Sequence, residues 1–160
     1  MTTKFVIDTN VAIVASGRDT HGSEKCQDTC KELLGQCKKL HIVIDNIGLI
    51  LDEYANKLNP SGKPTIGDAF FKYLKNYQYS SDKIQLVAIT PVNDEQRGFE
   101  ELPENQLDKS DRKFLATAFV AQAIIVNATD SDWLEQKVLL EKLQIEVKQL
   151  CSEHSCKQCI

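Results

Sequence analysis

The sequence has no apolar run approaching the roughly 18 residues that a membrane-spanning helix requires. Its start, MTTKFVIDTN, has no apolar signal-type core either, so the cytoplasm is the expected location and no membrane partner is expected. An excess of basic charge is also missing: 19 Lys and Arg stand against 23 Asp and Glu, a formal charge of −4. That excludes nucleic-acid binding through bulk positive charge, but not an acidic site with a local basic rim. There is no internal repeat and no low-complexity tract. Without a secretory signal, the six cysteines are expected as reduced thiols or metal ligands rather than a disulfide framework. What remains is ordinary for a soluble domain: 160 residues, 42% apolar and 26% charged, are enough for one sizeable core.

The first informative stretch is Lys4 to Asn10, KFVIDTN. A short unbroken apolar run suits a parallel strand buried on both faces. Asp8 falls where the strand gives way to a turn, as a helix cap or as a site residue, because ligands of open α/β sheets bind outside the carboxyl ends of strands. Further strands are expected at His41–Ile44, Ile84–Ile89, Ile124–Val126 and Gln144–Val147. Between them, Ser23 caps a helix with the stripe Cys26, Cys30, Leu33, Leu34 and Cys37. Asp45 and Asn46 can cap a helix that runs to about Leu58, where two prolines and a glycine stop it. Helices are also expected over Ile66–Tyr79, over Asn93–Leu102 as a short turn, from an N-cap at Asp108, and over Ser131–Leu143. Strands alternating with helices imply an α/β fold, three-layer α/β/α, with a mostly parallel sheet of about five strands. Residues 1–148 form the domain, and 149–160 are expected to be a flexible, Cys-rich tail.

The placement of acids carries the chemistry. Asp8 ends the first strand, Glu53 lies in the helix after the second, Asp111 opens the helix before the fourth, and Asp130 with Asp132 follows the fourth. Each has an ordinary reading. Asp8, Asp130 or Asp132 can cap a helix, Asp111 suits a positive helix N-terminus, and Glu53 alone is a solvated helix residue. Together they sit where a parallel sheet gathers its strand ends. Carboxylates held close are costly unless a cation neutralises them, and hard oxygen ligands suit Mg²⁺ or Mn²⁺. Such a cluster fits metal-assisted phosphodiester hydrolysis.

Four blocks carry a resemblance to a known family: FVIDTNV from Phe5, LDEY from Leu51, DKSDRKFLATA from Asp108 and IVNATDSDW from Ile125. In order and spacing they resemble the PIN-domain ribonucleases, which include toxins of toxin–antitoxin pairs. The resemblance implies an acidic Mg²⁺ or Mn²⁺ site that cleaves single-stranded RNA with water as the attacking group. It implies metal binding by Asp8, Glu53, Asp111 and Asp130, with Asp132 as a supporting fifth acid. Thr129 becomes the hydroxyl residue that orients the site, and Asn10 a polar partner of Asp8. A protein antitoxin or other inhibitor, and a homodimer, follow from the same resemblance.

Two segments exceed a minimal domain of that kind. The lysines and aromatics of Pro60–Tyr79 can contact RNA, or the aromatics can pack inward with the lysines solvated. The tail offers four zinc-type ligands in Cys151, His154, Cys156 and Cys159. Two other functions compete. One is a catalytically silent PIN-like RNA- or protein-binding module, against which the full set of four acids argues. The other is a haloacid-dehalogenase-like phosphatase, which needs a second acid where this chain has Asn10.

Overall fold

Five strands form one sheet in the computed structural model of the chain, which describes residues 2–18, 23–58 and 64–151. They are β1 (Lys4–Ile7), β2 (His41–Asp45), β3 (Ile84–Val87), β4 (Ile124–Asn127) and β5 (Val147–Gln149), in the spatial order β3-β2-β1-β4-β5. Every pairing is parallel. The intervening helices are α1 (Thr9–Ala15), α2 (Glu24–Gly35), α3 (Leu49–Lys57), α4 (Ile66–Tyr77), α5 (Arg112–Ala121), α6 (Asp132–Glu135) and α7 (Lys137–Leu143). Successive residues of the central strands are buried, as at Val6 and Ile7, Ile42 to Asp45, and Ile125 to Asn127. Because neighbouring side chains on a strand point to opposite faces, both faces of the sheet are covered. α5 lies against β1, β2, β3 and β4, while α1, α2 and α4 pack on one another. The α/β class is as the sequence implies. Among the described residues, no helix is long and apolar enough to cross a membrane.

Local chemistry sets the element ends. β1 stops at Ile7, and Asp8 caps α1 at once by accepting the Asn10 N–H (3.2 Å). Asp45 ends β2 and turns its carboxylate on the following backbone, accepting from Ile47 (3.2 Å), Leu49 (2.9 Å) and Ile50 (2.9 Å). Thr65 and Asp68 form a capping box at the start of α4. Burial pulls the Asp68 carboxyl upward, but the Arg18 guanidinium (3.0 and 2.9 Å) and the Thr65 N–H and hydroxyl hold it below its ordinary value. Phe70, Phe71, Tyr73 and Leu74 of α4 are buried and Lys72 and Lys75 exposed, so three of this segment's aromatics pack into the core while Tyr77 and Tyr79 stay exposed.

Several boundaries differ from the expected ones. Asn93–Leu102 is not a helix. Pro91 bridges Phe99, Gly98 adopts a φ of 81°, and the carbonyls of Glu95 and Leu102 are taken by the Arg112 and Arg97 guanidiniums (2.6 and 2.9 Å). Arg97 within the segment and Arg112 from α5 thus take carbonyls that a helical ladder would use. α5 begins at Arg112 with Asp111 at its N-cap position, because Asp108 spends its carboxylate on the Ser110 N–H and hydroxyl (2.9 and 2.6 Å). The segment Ser131–Leu143 is divided at Gln136 into α6 and α7. The last strand starts at Val147 rather than Gln144, since Gln144 ends α7 in a left-handed conformation (φ 58°).

The C-terminal region needs the largest correction. The boundary expected at residue 148 falls inside β5, and the Leu150 N–H continues onto the Asn127 carbonyl (2.9 Å). Cys151 is buried and joined to Cys26 of α2 as a disulfide, where the sequence suggests reduced thiols and a ligand set confined to the tail. The reason is positional: β5 delivers Cys151 to the buried face of α2. His154, Cys156 and Cys159 lie outside the described residues.

Where α4 crosses α1, a Cβ on Gly67 would collide with the Ser16 hydroxyl and the Ala12 carbonyl. Gly67→Ala is therefore expected to lower stability by about 1–3 kcal/mol despite the better helix propensity of alanine. Gly35, at the end of α2 with open space around it, is the control. Gly35→Ala should be neutral or gain up to about 1 kcal/mol. Urea midpoints for the two variants check both signs.

Candidate active site

The strand order turns back on itself between β1 and β4, and the crevice at such a point lies outside the carboxyl ends of the strands. Asp8 directly follows β1, and Asp130 stands three residues beyond β4. The start of α5 brings in Asp111. One carboxylate oxygen from each of the three lies within 4.8 Å of the others. They open on a cavity of about 250 Å³ that Asn10, Glu53, Lys57 and Asp132 also line. Asp8 and Asp111 are 4% and 6% exposed.

Asp8 is fixed from two sides. The Trp133 indole N–H donates to Oδ2 (2.9 Å), and the Asn10 backbone N–H to Oδ1 (3.2 Å). Burial still dominates and, with Asp130 and Glu53 nearby, pushes its pKa to about 7. Asp111 has no capping bond to offset burial. Burial first, then the charges of Asp8 and Asp130, push its pKa up to about 9. Asp130 is also raised, by burial above all, and the Asp132 N–H on its Oδ1 (2.9 Å) counteracts only part of this. Near neutrality the metal-free group therefore retains protons that a divalent ion has to displace.

The other expected residues divide. Asn10 is a partner of Asp8 through its backbone, while its side chain spans to the end of β4. Its amide donates to Asn127 Oδ1 (2.8 Å) and accepts the Ala128 N–H (2.8 Å). Asp132 lines the cavity beside Asp130. Glu53 lines it too, yet stands outside the group of three. It accepts the Thr9 hydroxyl and an ion pair from Lys113 (2.8 Å), so its charge is already met. Thr129 is half-buried between Ala128 and Asp130. The donors that orient Asp8 are Trp133 and Asn10.

Two functional residues carry no assignment from sequence reasoning. Trp133 supplies a buried N–H to Asp8, and Asn127 shapes the turn to Asp130, donating to its carbonyl (2.7 Å) and accepting its N–H (3.3 Å). Both lie in the block IVNATDSDW. The available signal was a tryptophan and an amide flanking a run of acids.

Three carboxylate oxygens, two of them buried and the third half-buried, short of compensating positive charge, suit a divalent cation such as Mg²⁺ or Mn²⁺. No protein-family model matches the sequence, and neither does any curated protein. Among solved structures, the chain is similar to VapBC2 from Rickettsia felis, determined bound to a DNA fragment from its promoter. The identity is 13% and the TM-score 0.45, covering 92% of this chain and 98% of the other.

Raised carboxyl pKa values fix the sign of two dependences. The unfolded chain loses these protons near pH 3.8, the folded metal-free chain only around 7 and 9. The folded state thus holds more protons in between, and its stability falls as pH rises through that window. Thermal melts in EDTA should show this fall for the wild-type chain and a shallower one for Asp111→Asn. Mn²⁺ affinity should rise from pH 6 to 8 with release of protons, measurable by titration calorimetry in buffers of different ionisation enthalpy. Trp133→Phe, which removes the N–H from Asp8, should move the affinity curve to higher pH.

Proposed function

We propose that this chain is a metal-dependent endoribonuclease that hydrolyses phosphodiester bonds of single-stranded RNA. The observation that carries the reading is the convergence of Asp8, Asp111 and Asp130 at the strand-order reversal, on an open cavity. In this reading the three hold Mg²⁺ or Mn²⁺, with Asp132 and Glu53 as supporting acids. A divalent ion bound there supplies Lewis acidity, lowering the pKa of an attacking water and neutralising phosphate charge. The choice of RNA rests on the likeness of the four acidic blocks to PIN-domain ribonucleases. In that family setting a protein antitoxin is the expected inhibitor.

The chain's own residues have distinct tasks. Trp133 and Asn10 keep the Asp8 carboxylate turned towards its partners. Asn10 and Asn127 tie the end of β1 to the turn after β4, which holds Asp130 opposite Asp8. Thr9 and Lys113 hold the Glu53 side chain at the cavity wall by a hydrogen bond and an ion pair. Lys57 brings an exposed ammonium to the same cavity, where it can meet a backbone phosphate. With a formal charge of −4, such local positive charge has to replace a general basic surface.

Cleavage of labelled single-stranded RNA in Mn²⁺, Mg²⁺ or EDTA tests the reading. Asp8→Asn and Asp111→Asn should each cost at least about 10²-fold in rate, the upper end of losing a mere supporting partner of a metal site. Glu53→Gln should cost less, since Glu53 stands outside the group of three. Activity that survives both EDTA and Asp8→Asn would overturn the mechanism. Lys57→Ala should raise KM with little change in kcat. If Lys57 makes one phosphate contact, the salt dependence of binding should also flatten by about 0.7 in log–log slope.

A further inference from the structure

Glu53 faces the cavity but stands apart from the three aspartates, and a lysine accounts for the difference. Lys113, the second residue of α5, places its ammonium 2.8 Å from Glu53 Oε1 and donates to the Ser110 carbonyl at 2.6 Å. The same ammonium lies 5.4 Å from the centre of the Phe114 ring. Only 14% of the Lys113 side chain and 12% of the Glu53 side chain are exposed, whereas Lys109, one turn earlier, is 73% exposed. Lysines are seldom covered to this extent unless paired. The Thr9 hydroxyl donates to the other Glu53 oxygen, so both oxygens of this carboxylate have partners.

The atoms that hold the ammonium are those a hard cation takes. Carboxylate and backbone carbonyl oxygens are ligands of Mg²⁺ and Mn²⁺, and Glu53 and Ser110 line the same cavity as Asp8, Asp111 and Asp130. The charge of Glu53 also reaches Asp8, whose pKa it helps to raise. Acid clusters of hydrolytic sites often hold two ions. Here one end of the cavity already has a cation, and the chain itself supplies it. We infer that Lys113 sets the metal count of the site: its ammonium takes the place of a second ion at Glu53, leaving one divalent ion to Asp8, Asp111 and Asp130. The inference rests on the metal-dependent reading above and specifies how that site is filled.

An ammonium differs from the ion whose place it takes. It is a compact single charge on a flexible stem, it binds no water as a Lewis acid, and no chelator removes it. Glu53 therefore keeps its place at the cavity wall whether or not a metal is bound. The chemistry that a divalent ion supplies is confined to the end of the cavity where the three aspartates meet. Asp111 and Lys113 both belong to the start of α5, so one helix end presents an acid to the metal and a cation to Glu53.

Counting ions tests this. The full chain is dialysed against Mn²⁺ and the bound metal per chain measured by elemental analysis, with titration calorimetry as a second count. The wild-type chain should bind one ion, which Asp8→Asn should lose. Lys113→Met keeps the stem beside Phe114 but removes the charge, and should bind two ions. Lys113→Arg keeps the charge and should bind one. The added ion should disappear when Glu53→Gln is combined with Lys113→Met. Should Lys113→Met fail to fold by circular dichroism, Lys113→Gln takes its place. Two ions on the wild-type chain, a single ion on the variant without the charge, or a second ion that survives Glu53→Gln each overturn the inference and leave the metal-dependent reading standing. No ion on any of these proteins overturns that reading, and the inference with it.

Discussion

Mutual repulsion among buried carboxylates is the constraint around which the end of this sheet is built. Asp8, Asp111 and Asp130 approach within 4.8 Å, the first two of them almost wholly buried. Like charges so placed ionise together only if something positive joins them. Folding pays for this arrangement through the core, because the strands and helices that carry the three acids are held by apolar packing far from the site. The cost remains visible as carboxyl pKa values of about 7 at Asp8 and about 9 at Asp111. A divalent cation bound among the three acids would remove that cost, so the geometry that strains the metal-free chain would favour binding.

Keeping the acids in place against this repulsion requires uncharged groups. A lysine beside Asp8 would relieve the strain, but it would also compete with a metal ion. The chain uses an indole N–H and a backbone N–H, which orient the carboxylate while leaving its charge unmet. The Asn10–Asn127 amide pair follows the same logic. It couples β1 to the turn after β4 by hydrogen bonds at 2.8 Å and adds no charge to the crevice. Asn at position 10 thereby acquires a structural meaning beyond its failure to supply a phosphatase acid.

Much of this was legible in the sequence, for identifiable reasons. Apolar runs such as FVI and IVI have no solvated face, so they read as strands of a covered parallel sheet. Acids at the ends of such runs point to the crevice by topology alone. What could not be read depends on contacts across the chain. Nothing local says that Arg112 of α5 will take the Glu95 carbonyl and help prevent a helix there. Nor does anything local say that Lys113 will neutralise Glu53 and set it apart from the other acids. The cysteines mislead in the same way. Cys151 groups by sequence with the tail, whereas its neighbours in space are Cys26 and Cys30, over 120 positions earlier (a separation of 125 from Cys26).

The contrast between the buried acids makes the functional reading specific. Asp45 directs its carboxylate at three backbone N–H groups, and Asp68 is matched by the Arg18 fork and a capping box. Both are acids whose negative charge is consumed by the fold. Glu53 is intermediate: it faces the cavity, but Lys113 balances it. Asp111 stands at a helix N-cap position and makes no capping bond, although capping is the cheapest use of an aspartate there. That carboxylate turns instead towards Asp8 and Asp130 and shares a hydrogen bond with Asp130. A group so disposed could take a divalent ion, which would offset all three acids at once.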